Sequence, residues 1–145
     1  MAHSPMTNVD LCIRVQRELF GEGRLELADE AIAHDCVDHG GEIGPGGADG
    51  AARGPEGIKR VVGWLRSAFP DLKYEIEDAF GGGDRVALRC TVRGTHGGEF
   101  LGQRPTGRRF AVQQIHVFRV SDGQIAEHWA ARDDVGMMRQ LGLVS

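Results

Sequence analysis

The chain has 145 residues, which suits one domain with a single sizeable core, and its 41% apolar and 26% charged residues describe a soluble globular class. A formal net charge of −4, with Arg108-Arg109 as the only notable basic pair, argues against nucleic acid as a partner. No apolar run approaches the roughly 20 residues of a membrane span, and the N-terminal MAHSPMTNVD has neither the basic nor the apolar segment of a secretory signal.

Residues 1–8 are expected to form a flexible tail ahead of a single domain spanning the rest of 1–145. Residues 9–20 carry Val9, Cys12, Ile13, Gln16, Leu19 and Phe20 at helical spacing, with Asn8 as the expected N-cap. A short second helix over 25–32 places Leu25, Ala28 and Ile32 on one side. Residues 36–39 suggest a short strand. Residues 40–54 hold many glycines and a proline, so they read as a long loop, either a lid or a surface insertion.

Pro55 opens a third helix with a stripe of Ile58, Val61, Val62, Leu65, Ala68 and Phe69. A strand over 72–80 and a glycine turn follow. Residues 85–95 alternate, with Val86, Leu88, Cys90 and Val92 on one face and Arg85, Arg89 and Arg93 on the other. After a second glycine-rich loop over 96–107, two long strands are joined by Ser121-Asp122-Gly123. Asp133 caps a final helix through Met137, Met138 and Leu141. Helices followed by hairpin-linked strands indicate an α+β domain with an antiparallel sheet.

The strand after Arg108 carries the most informative pattern. Phe110, Val112, Gln114, His116, Phe118 and Val120 share one face, since strand side chains alternate with period two. Gln114 and His116 therefore sit among apolar neighbours, where they either satisfy each other or line a cavity. The opposite face, with Ala111, Gln113, Ile115 and Val117, is too apolar to be fully solvated, so a partner chain is expected there. Cys12, Cys36 and Cys90 are far apart and read as reduced, buried thiols, which suits a cytoplasmic setting. The six histidines show no metal spacing, and no phosphate loop, nucleophile elbow or dinucleotide fingerprint is present; no metal and no cofactor are expected.

Two segments, GPEGIKRVVGWLRSAFPDL and GEFLGQRPTGRRFAVQQIHVFRVSDGQIAEHWAARDDVGMMRQLG, resemble the SnoaL-like polyketide cyclase family of the NTF2-like superfamily. The resemblance covers roughly residues 9–143. It implies an NTF2-like cone: a curved antiparallel β-sheet wrapped around N-terminal helices, with an internal hydrophobic cavity, in a homo-oligomer (dimer or tetramer). It also implies cofactor-free acid/base chemistry on a polyketide. In the cyclases an aspartate on the last strand removes a proton next to a carbonyl, the carbanion closes a ring by aldol attack, and a histidine on the preceding strand assists. His116 falls on the helper histidine. The base position falls on Ala130, which cannot take a proton, and a pocket asparagine position falls on Asp38.

His116 and Asp38 are accordingly the candidate catalytic pair, because an imidazole titrates near neutrality and a carboxylate in an apolar cavity can serve as a base. Gln114, Trp64, Phe69, Phe118, Arg132 and His128 are candidates for substrate binding. Arg132 is a fixed charge for an enolate or carboxylate oxygen, and the aromatic rings, core by their spacing, are also surfaces for a flat, bulky hydrophobic ligand. His128 has a competing reading at the sheet surface or an oligomer contact. A hydroxylase-type role, epoxide or ester hydrolysis, and non-catalytic binding of a small hydrophobic molecule are the alternatives on this scaffold.

Overall fold

The computed structural model describes residues 6–39 and 52–145. Helix α1 (Asn8–Arg14) runs on into a π-helical segment (Val15–Phe20). There follow α2 (Glu26–Ala31), β1 (Ile32–Asp38), β2 (Ala52–Arg53), α3 (Gly54–Ala68), β3 (Lys73–Gly82), β4 (Arg85–Thr95), β5 (Arg109–Ser121), β6 (Gln124–Arg132) and α4 (Asp134–Gln140). Residues 1–5 of the expected tail and 40–51 of the expected glycine-rich loop, lid or surface insertion, lie outside the described residues.

The strands form one sheet in the order β2-β1-β6-β5-β4-β3. β3 to β6 are the expected antiparallel meander. β1 departs from the expected all-antiparallel sheet, because it pairs with β6 in parallel. A parallel neighbour needs a long crossover, and here everything from β2 to β5 lies between the two strands. Register shifts at Ile76/Asp78, Arg119/Val120 and Ile32/Val37 interrupt the ladders and add twist, which curves the sheet around the helices. At the β5–β6 turn Asp122 and Gly123 both have positive φ, 51° and 74°, as a two-residue turn matched to strand twist requires.

The concave face holds the core. Phe110, Val112, Gln114, His116, Phe118 and Val120 are all buried, whereas Ala111, Gln113 and Ile115 are exposed. The alternation expected of β4 is present, with Val86, Leu88, Cys90 and Val92 buried. Cys12, Cys36 and Cys90 are free and buried, and burial pushes their thiols up to about 12, 12 and 11.

Several local expectations are corrected. Thr7, not Asn8, caps α1, its Oγ1 accepting the Asp10 N–H at 3.0 Å. The helix expected over 9–20 is α-helical only to Arg14. In α2 the buried residues are Leu27, Ala28 and Ala31, while Leu25 is exposed. β1 begins at Ile32, four residues before the expected strand. Gly54 opens α3 at φ +63°, and a Cβ there would come within 2.5 Å of the His34 carbonyl oxygen. The 96–107 loop is tied to the end of α3 by the Gly97 and Gly98 N–H groups, which both donate to the Ala68 carbonyl at 3.0 Å. Its Phe100 is buried against Phe69, with ring centroids 5.0 Å apart.

Candidate active site

The β5–β6 register stacks three pairs along the concave face: Gln114 with Arg132, His116 with Ala130, and Phe118 with His128. On the other side of β6 the parallel register sets Asp38 beside His128. Side chains from three strands therefore meet in the core. Gln114 is 8% exposed, His116 1%, His128 5% and Asp38 6%.

They form one continuous hydrogen-bonded chain. His116 Nε2 lies 2.8 Å from Gln114 Oε1, His116 Nδ1 lies 2.8 Å from His128 Nε2, and His128 Nδ1 lies 2.8 Å from Asp38 Oδ1. The His116–His128 contact is diagonal across the hairpin, the reach expected of long side chains one row apart. Ala130, directly opposite His116, offers only a methyl group, so the imidazole finds its partner one row along. The two rings are stacked with centroids 5.0 Å apart, and Phe118 packs on His128 at 4.8 Å and on His116 at 6.2 Å.

The three contacts restrict where protons sit. With Gln114 presenting Oε1, a neutral His116 donates from Nε2 and accepts at Nδ1. His128 then donates from Nε2, and its Nδ1 shares a proton with Asp38. Rotating the Gln114 amide reverses the chain. The amide then donates to His116 Nε2, His116 Nδ1–H donates to His128, and His128 Nδ1–H donates to the Asp38 carboxylate. The first arrangement holds one more proton than the second, so the network takes up or gives back a single proton without leaving any of these contacts unmade.

Electrostatics place that proton away from His116. Burial holds its pKa well below the usual imidazole value, and His128 and Arg132 lower it further. Tyr74, which no sequence feature singled out, lies edge-on to His116 with centroids 6.4 Å apart, and its burial pushes the phenol upward.

Gln16, Asp38, Cys36, Phe118 and His128 share the wall of a narrow cavity with Val15, Phe20, Ile32, Ile58 and Ile125. Of the other sequence candidates, Trp64 and Phe69 lie in a separate aromatic cluster. Trp64 packs on Phe100 at 5.4 Å, and Phe69 packs on Phe100 and Phe110 at 5.0 Å each. No ring contact joins that cluster to His116 or His128 among the described residues. The expectation of His128 at the sheet surface is corrected, because the concave register turns it inward. His39 and Glu127 point outward instead, bonded to each other at 2.9 Å, with His39 stacked on Trp129 at 5.3 Å. Asp133 caps α4 as expected, accepting the Gly136 N–H at 2.8 Å. Among the described residues no group of three or more His, Cys, Asp or Glu is arranged to hold a metal.

The lowered pKa of His116 has a consequence for stability. Below the ordinary imidazole value of about 6.5 the unfolded chain binds this proton and the folded chain does not. The contribution of His116 is therefore full above that pH and is lost as pH falls, by up to about 1.4 kcal/mol per pH unit. Urea unfolding at pH 7 and pH 5 should show a smaller loss of stability in His116→Gln than in the unsubstituted protein; equal losses would contradict the burial-driven shift.

Comparison with known proteins gives a consistent answer. The family signature described as SnoaL-like polyketide cyclase matches residues 10–141. Aklanonic acid methyl ester cyclase DauD of Streptomyces sp. (strain C5) is 34% identical over 136 residues, covering 92% of this chain and 81% of that protein. Nogalonic acid methyl ester cyclase of Streptomyces nogalater is 33% identical over 128 residues, covering 85% of this chain and 89% of that protein. Among solved structures, wild-type IdmH of Streptomyces antibioticus superposes with a TM-score of 0.81 at 38% identity, over 94% of this chain and 99% of that one. The chain belongs to the SnoaL-like polyketide cyclase family.

Proposed function

We propose that this protein closes a ring in a bulky polyketide-like substrate by cofactor-free acid/base chemistry, with the Asp38–His128–His116 chain in place of a carboxylate at position 130. The observation that carries this reading is the unbroken buried run of 2.8 Å contacts from Gln114 to Asp38. An aldol closure needs a base to remove a proton from carbon next to a carbonyl. The resulting enolate attacks a second carbonyl of the same molecule, and the alkoxide formed takes a proton back. No electron or proton is gained overall, so a group that stores one proton is sufficient. Asp38 and His128 store it, His116 and Gln114 reorient around it, and the Arg132 charge favours a developing enolate oxygen.

The compound in the name of the Streptomyces sp. (strain C5) relative, aklanonic acid methyl ester, is the first substrate to test. Ring closure followed by absorbance and product mass should fall by about 10²-fold or more in Asp38→Asn and His116→Ala. Full turnover by a folded Asp38→Asn variant would contradict the relay. Binding of the compound by every variant, with no turnover in any, would favour a binding module.

The convex face supports self-association. Phe80, Ala87, Val117 and Trp129 are successive cross-strand partners and form an apolar row there, with Phe80 67% exposed; Ile115, on the same face of β5, is 50% exposed. The three buried thiols suit a reducing, cytoplasmic setting. Light scattering should give a dimer or tetramer that Ile115→Lys and Phe80→Lys reduce to a monomer; a monomeric unsubstituted protein would overturn this part of the reading.

A further inference from the structure

Gln16 occupies an apolar stripe and is 1% exposed, yet among the described residues its amide nitrogen has no hydrogen-bond partner. Leaving a buried amide donor unpaired is unfavourable, so the position suits an oxygen acceptor carried by a bound molecule. The backbone around it is also unusual. Gln16 lies in the π-helical segment Val15–Phe20, where its carbonyl accepts the Gly21 N–H, a span of five residues. Such segments have poorer hydrogen-bond geometry than an α-helix and recur at functional sites. The wide turn buries Val15, Gln16, Leu19 and Phe20 together and brings Gln16 to the cavity wall that also carries Asp38 and His128.

The cavity measures about 10 Å³, the space of a single oxygen-sized group, since roughly 10–15 Å³ holds one water. The rest of its lining is apolar apart from Asp38, His128 and Cys36. An oxygen seated there would accept from Gln16 while lying next to the pair that handles the proton.

We propose that the Gln16 amide is an oxygen-binding subsite, donating from Nε2 to a carbonyl or alkoxide oxygen of the bound substrate beside Asp38 and His128. It rests on the cyclase reading for the identity of the ligand but not for the existence of the subsite. Gln16 is thus a substrate-contacting residue on the cavity wall and helps choose which oxygen of a polyoxygenated ligand is presented to the relay.

The test uses the full-length chain with Gln16→Leu, which keeps the volume and removes the donor, and Gln16→Met as a second variant if the first does not fold. Affinity for aklanonic acid methyl ester is read from quenching of tryptophan emission, and turnover is read separately. The subsite predicts a thermal midpoint at or above that of the unsubstituted protein, because the unpaired amide is gone. It also predicts a tenfold or greater loss of affinity or of kcat: a rise in KM alone marks a ground-state carbonyl, and a fall in kcat alone marks an alkoxide. If the unsubstituted protein binds without turning over, the cyclase reading fails, and the affinity comparison still decides the subsite. Unchanged affinity and unchanged kcat in a folded variant would overturn it and leave only a water site.

Discussion

The parallel pairing of β1 with β6 is the constraint on which the interior chemistry depends. It sets Asp38 beside His128, and the antiparallel hairpin sets His128 one row from His116. Neither pairing alone makes a site. A histidine pair in an apolar core would lack a carboxylate to hold a proton, and a lone Asp38 would face the full unfavourable energy of a buried charge. Together they satisfy each other, and the network remains satisfied with either of two proton counts.

Ala130 is intelligible in the same terms. A carboxylate there would stand directly opposite His116, in the place the family resemblance leads one to expect. With a methyl group instead, His116 bonds diagonally to His128, and the carboxylate enters from another strand. In the proposed relay the carboxylate comes from β1 in place of β6, with one imidazole spanning the extra distance. Asp38 and His128 also line the cavity that carries Gln16.

Much of this was legible in the residues. The alternation of 85–95 and 110–120, the Asp122-Gly123 turn and the Asp133 cap are local patterns, and the structure carries them all. Period two places His116 and Gln114 on one face with Phe110, Val112, Phe118 and Val120, and that face is buried. The partner of Asp38 did not, because a parallel contact between segments ninety residues apart leaves no local trace. The alignment of His116 with Ala130 also depends on the register shift at Arg119/Val120, without which the rows would be offset. Gln16 had a visible signal, a polar residue within an apolar helical stripe. It passed as packing because α-helical spacing gave no hint of the π-helical turn. Trp64 and Phe69 read as core by their spacing, with ligand stacking as a second role, and their ring contacts are with Phe100 and, for Phe69, also Phe110.

The central claim is that one proton-conducting chain runs from Gln114 through two imidazoles to Asp38. Nitrogen NMR on histidine-labelled protein tests it most directly. The account predicts a scalar coupling across the hydrogen bond between His116 Nδ1 and His128 Nε2, with His116 staying singly protonated well below pH 6.5. Two rings that titrate independently, with no coupling and with solvent-like midpoints near 6.5, would contradict it.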